Sequence, residues 1–94
     1  VYDSTKGAVE QLSHVLAKEL GSRGITVNAV SPGAIETTTY RDGKSPEFLA
    51  SLEAMSAFGR VGRVEEIAGV VAFLAGPDAR WVTGQNVRVN GGTT

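Results

Sequence analysis

Apolar residues recur at helical intervals along the first twenty positions. Val9, Leu12, Leu16 and Leu20 fall on one stripe, Ala8 and Val15 widen it, and Glu10, Gln11, Lys18 and Glu19 supply polar positions. The spacing predicts a helix from about Tyr2 to Leu20. Gly21 and Gly24 bracket a tight turn, and Gly21 suits the left-handed residue that closes many helices. The run Ile25-Thr26-Val27-Asn28-Ala29-Val30 is β-branched and mostly apolar on both alternations, as expected of a strand covered on both faces, and Ser31-Pro32-Gly33 stops it.

From Ala34 to Ser45 the chain is polar and poor in large apolar groups, which predicts a mobile loop. Ser45-Pro46-Glu47 has the order of an N-cap, a first-turn proline and an early acid. A short helix is therefore expected from Pro46 to about Ala57, with Phe48, Leu49, Leu52 and Met55 as its apolar contacts. Gly59 and Gly62 interrupt the pattern. A further helix from Glu65 to Ala75, with Ile67, Val70, Val71, Phe73 and Leu74, has almost no polar face and is expected to be buried. Gly76-Pro77 ends it. Thr83-Gly84 reads as a turn, Gln85 to Val89 as a second strand, and Gly91-Gly92 as a flexible end.

Two strands joined by a long helical connection exclude a hairpin and favour a parallel pair with a right-handed crossover. The predicted class is α/β, in the order helix, strand, loop with two helices, strand. Two parallel strands are only a fraction of such a sheet, which normally has more strands and cover on both faces.

Composition narrows the function without naming it. The 94 residues form one domain at most, and a piece of this size buries only about 60% of its extended-chain surface. Nine Lys and Arg against ten Asp and Glu give a net charge of -1, so no charge excess points to nucleic acid or an anionic membrane. The lack of cysteine excludes disulfides and thiolate metal sites and fits a reducing cytoplasm. No apolar run approaches the roughly 20 residues of a membrane span, and the stretch reads as soluble.

The candidate chemistry lies at the start. Tyr2 and Lys6 stand four apart, on one face of the first predicted helix. An isolated tyrosine titrates near 10 and is a poor acid or base at neutral pH. A unit positive charge about 4 Å away, at an effective dielectric of about 20, favours the phenolate by at most about 4 kcal/mol, so such a pair can exchange a proton near neutrality. Taken alone, Y-x-x-x-K is a weak motif, because the same spacing occurs on many solvated helices.

Three further segments give it context. They are Val27-Asn28-Ala29-Val30-Ser31-Pro32-Gly33-Ala34-Ile35-Glu36-Thr37, then Gly59-Arg60-Val61-Gly62-Arg63-Val64-Glu65-Glu66-Ile67-Ala68, then Val82-Thr83-Gly84-Gln85 with Val89-Asn90-Gly91-Gly92. Together with Tyr2 to Lys6 they resemble, in order and spacing, the C-terminal half of a short-chain dehydrogenase/reductase. The resemblance implies that residues 1–94 are the C-terminal portion of a Rossmann-type, doubly wound parallel sheet whose N-terminal nucleotide-binding half is absent from this stretch. It implies an NAD- or NADP-dependent oxidoreductase acting on a small carbonyl or alcohol substrate. Tyr2 would be the catalytic acid or base, and Lys6 would lower its pKa and bind the nicotinamide ribose. Pro32 and Gly33 would turn the chain beneath the nicotinamide, the Ile35 backbone would bind its carboxamide, and the Thr37 hydroxyl would fix the same end. Residues 38–57 would be the family's variable substrate loop. Homo-oligomers, dimer or tetramer, are common in the family.

The sequence departs from the family pattern in places. No G-x-x-x-G-x-G stretch follows a strand, so the pyrophosphate turn is missing, as are the family's catalytic serine and helix asparagine. Thr5, Val64 and Asn90 stand where serine, proline and aspartate are frequent. His14 lies about 18 Å along the helix from Tyr2, too far to share a reacting atom. Arg60, Arg63, Arg80 and Arg88 read as solvated or interface groups, and Trp81 as a packing or interface anchor. Two functional classes remain, an oxidoreductase of which this is a piece and a truncated, non-catalytic interaction module; the piece alone is expected to be inactive.

Overall fold

The computed structural model of the chain describes residues 2–93, and side chains from Lys6 onward. The first helix, α1, spans Tyr2–Leu20 as its apolar stripe requires. It does not close on Gly21. A single 3₁₀ turn, Gly21–Arg23, follows, and Gly24 takes the left-handed conformation at φ 72°, its N–H donating to the Gly21 carbonyl at 3.0 Å. Closure moves three residues on because the tightened last turn satisfies carbonyls that an immediate left-handed cap would otherwise serve.

Strand β1 is Ala29–Pro32 and strand β4 is Asn86–Val89, and the two form a two-stranded sheet. Ala29 N–H donates to Gln85 O at 2.9 Å and Gly33 N–H to Val89 O at 3.1 Å. Both partners advance four residues in the same direction, so the pair is parallel. The strand expected over residues 25–30 thus starts later and continues through Pro32. A strand needs a ladder, and residues before Ala29 meet a turn instead. Val27 N–H donates to Thr83 Oγ1 at 2.9 Å, Gly84 N–H to Val27 O at 2.7 Å, and the Asn28 amide bridges Val82 O and Gln85 N–H at 3.0 and 3.1 Å. Pro32 is tolerated because Ala29 and Gly33 aim their N–H groups at β4, and alternation places the nitrogen of residue 32 on the opposite edge.

A second small parallel sheet pairs β2, Ile35–Glu36, with β3, Gly62–Arg63, in the register Ile35↔Gly62 and Glu36↔Arg63. The polar segment from Ala34 is therefore more than a loop. Thr37 and Tyr40 close a turn, with Tyr40 N–H donating to Thr37 O at 3.1 Å, and Tyr40 is buried. Lys44 Nζ donates to the Tyr40 carbonyl at 2.6 Å, and the Lys44 and Arg41 cations lie 5.4 and 5.9 Å from its ring centroid.

Helix α2, Pro46–Met55, starts as its capping residues dictate. Ser45 Oγ accepts from Phe48 N–H at 3.1 Å and Pro46 occupies the first turn. Leu49 is buried, whereas Phe48 and Met55 are exposed. Helix α3, Val64–Ala75, has no buried residue. The expectation of a buried helix fails because cover reaches one stripe only. Ile67, Val70 and Leu74 are half-buried, while Val71 and Phe73 stand exposed. A one-turn 3₁₀ helix, Pro77–Ala79, follows.

The chain divides into two compact units, residues 1–30 with 71–87, and residues 31–70 with 88–94. In the first, α1 lies on the turn before β4. Ala17 is buried, a Cβ on Gly84 would stand 3.4 Å from its methyl group, and the Asn86 side-chain amide donates to Glu10. In the second, the C-terminal glycines are pinned, contrary to expectation. Ala57 N–H donates to Gly91 O at 2.7 Å, and Gly91 and Gly92 both have positive φ. Cβ atoms there would come within 3.2 Å of Ser56 and 3.1 Å of Ala57.

Candidate functional site

Tyr2 and Lys6 both fall within α1, where a four-residue separation carries them to one face. The Tyr2 side chain lies outside the described residues; Lys6 is exposed and engaged with a neighbour.

Pro32, Gly33, Ile35 and Thr37 form one continuous segment of the second unit. Gly33 has no room for a side chain, because a Cβ would lie 2.8 Å from Asn90 Cβ and 3.0 Å from Asn90 Cα. Its role is close approach to the end of β4, and it has no positive φ. Gly62 is similarly confined, with Ile35 Cδ1 3.0 Å from where its Cβ would stand.

Backbone direction at β2 bears on ligand binding. Gly62 N–H donates to Ala34 O at 2.9 Å, and Ile35 is the residue in register with Gly62. In a parallel ladder this pattern turns the N–H and C=O of Ile35 itself to the opposite edge. A donor and an acceptor so presented match the acceptor and donor of a primary carboxamide. Thr37, two residues on, is exposed at the start of the turn. The residues present thus fit the nicotinamide end of a dinucleotide.

Beside this segment is a cleft of about 130 Å³, with Ile35, Leu52, Phe58 and Ile67 supplying apolar walls and Arg60 and Glu66 a polar one. The sequence pattern reads Arg60 as a solvated or interface group and assigns Glu66 no role. In the fold they make a two-bond fork, Arg60 Nη1 to Glu66 Oε1 at 2.8 Å and Nη2 to Oε2 at 2.9 Å, and Glu66 Oε1 also accepts from Arg63 N–H at 2.9 Å. The Arg60 guanidinium and the Arg63 N–H hold the Glu66 carboxyl at about 2, and Glu66 raises Arg60 in turn. Glu66 is the third residue of α3, and its reach back to the N–H before the helix is half of a capping box. An acid three residues after the N-cap position, Arg63, is the available signal.

A sequence profile of the family described as Enoyl-(Acyl carrier protein) reductase matches residues 1–94. The chain belongs to the short-chain dehydrogenase/reductase family. A chloroplastic NADPH-dependent aldehyde reductase-like protein of Arabidopsis thaliana is 48% identical over 91 residues, covering 97% of this chain and 34% of that protein. A short-chain dehydrogenase/reductase from Serratia marcescens superposes with a TM-score of 0.88 at 43% identity, over 98% of this chain and 37% of that one. The angucycline C-6 ketoreductase LanV, solved with bound NADP, gives a TM-score of 0.87 at 44% identity, over 98% and 35%. The chain therefore spans about a third of the length of each relative, and its α/β architecture is part of a Rossmann-type fold. Among the described residues, no helix is long and apolar enough to cross a membrane.

Proposed function

We propose that these residues form the C-terminal part of an NAD(P)-dependent oxidoreductase that acts on a carbonyl or alcohol substrate. The observation that carries this reading is the outward-turned backbone donor and acceptor of Ile35, on the segment that also holds Pro32, Gly33 and Thr37. When bound, the dinucleotide supplies or accepts the hydride. Tyr2 exchanges a proton with the substrate oxygen. Lys6, one helical turn on, favours the phenolate and engages the ribose. Ile35 pairs with the carboxamide through its backbone, and the Thr37 hydroxyl steadies the same end. An aldehyde reductase-like relative named for NADPH and a ketoreductase solved with NADP support a nicotinamide cofactor, NAD or NADP.

Association into a homo-oligomer, dimer or tetramer, belongs to the same reading. Trp81 is 99% exposed and Phe58 74%, and each is an aromatic side chain that a second copy would cover.

The test is Tyr2→Phe in the full-length protein that carries this chain. Turnover should fall by roughly 10²–10⁴-fold, the range for loss of a general acid or base, while dinucleotide binding changes little. Comparable turnover in variant and wild type would remove Tyr2 from the mechanism.

A further inference from the structure

We infer that the Arg60–Glu66 fork is a positioning element for the cofactor-binding segment, acting through the β2–β3 register. The inference rests on the reading of Ile35 as a carboxamide contact. Its geometry lies wholly within the second unit.

A two-residue parallel ladder specifies its own register weakly, since few hydrogen bonds and few cross-strand side chains oppose a slip. Here β3 is the ladder partner of β2 among the described residues, so whatever fixes β3 fixes Ile35. Glu66 fixes β3 from both ends. Its Oε1 accepts the N–H of Arg63, within β3, and the fork ties down Arg60, whose Nη1 also donates to Val61 O at 3.1 Å. The run 60–63 is thereby closed against the first turn of α3. Confinement of Gly62 by Ile35 Cδ1 adds a steric stop, because in a slipped register a residue bearing a Cβ would meet that methyl group.

A carboxylate that accepts three N–H bonds has no equivalent in its amide, which offers one oxygen and a group that repels the donors. Glu66→Gln should therefore loosen β3 without removing bulk. With β3 no longer held, β2 loses the partner that fixes its edge, and the Ile35 donor and acceptor lose their set direction.

The experiment uses the full-length protein with Glu66→Gln and Arg60→Met, and Thr83→Val as a control that removes a hydrogen bond in the other unit. In the fork variants, dissociation constant and KM for NAD or NADP should rise about tenfold or more, with kcat at saturating cofactor within about threefold. Without cofactor, hydrogen exchange at the Gly62 amide should accelerate. Thr83→Val should lower Tm and leave cofactor affinity and Gly62 exchange unchanged. Fork variants that fold and match the wild type in cofactor affinity overturn the inference alone. It is equally overturned if Thr83→Val weakens cofactor binding as much at equal loss of Tm. A wild-type protein that binds no dinucleotide overturns the functional reading, and this inference with it. Should the fork variants not fold, Arg60→Lys, which keeps one of the two bonds, must give an intermediate affinity; wild-type affinity in that variant also overturns the inference.

Discussion

Gly33 and Asn90 approach so closely that a methyl group on Gly33 would overlap Asn90, 2.8 Å from its Cβ. The Gly33 N–H meanwhile bonds Val89 O at 3.1 Å, so the strand ends cannot separate without losing a ladder bond. Gly33→Ala should destabilise the protein by about 1–3 kcal/mol, the usual cost of overpacking. Urea unfolding of variant and wild type measures it, and equal midpoints would mean that Asn90 shifts aside at no cost.

Ser45 caps α2 through a single side-chain bond to Phe48 N–H. Ser45→Ala should cost about 1 kcal/mol and Ser45→Asp nearly nothing, since aspartate accepts the same bond. Thermal unfolding of the two variants decides between loss of a cap and a general intolerance of substitution.

Acid should weaken the fork over a defined window. The Glu66 carboxyl is held at about 2 in the fold against an ordinary 4.5. Its folded pKa is depressed, so its contribution is complete above about pH 5 and is lost as pH falls from there toward 2. The stability difference between wild type and Glu66→Gln should be flat from pH 7 to 5 and shrink below that. A difference that grows on acidification would show that the carboxylate is not the stabilised form.

The 94 residues alone should bind NAD or NADP more weakly than micromolar. Their proposed contacts lie at the nicotinamide end, and no glycine-rich turn in the sequence supports a pyrophosphate. Calorimetric titration tests this, and micromolar affinity would place the principal binding groups elsewhere.

Long-period features were legible in the sequence. The α1 stripe marks that helix through to Leu20, and Ser45-Pro46 marks the start of α2. Features that depend on a partner were not. The apolar run from Ile25 has strand composition, yet its ladder begins at Ala29, where β4 becomes available, and residues 27 and 28 bond a turn. The apolar faces of α3 promised a cover that the described residues supply on one stripe only. Strands β2 and β3 are too short to carry any periodicity. Gly91-Gly92 shows another limit, because glycine for freedom and glycine for close approach look alike in a sequence; here both residues pack against the exit of α2. At the candidate site, Tyr2, Lys6 and the segment from Pro32 to Thr37 could be named from motif spacing. The Arg60–Glu66 fork could not, since its meaning depends on a pairing that only the fold reveals.

The imino nitrogen of Pro32 interrupts the row of donors on the edge of β1 that faces away from β4. A strand laid along that edge would meet a donor and an acceptor at Val30 but an acceptor alone at Pro32. The last N–H donor on that side of β1 is therefore that of Val30. One ring atom in the backbone thus weakens any sheet built outward from β1 at its carboxyl end, the end at which open α/β sheets receive their ligands.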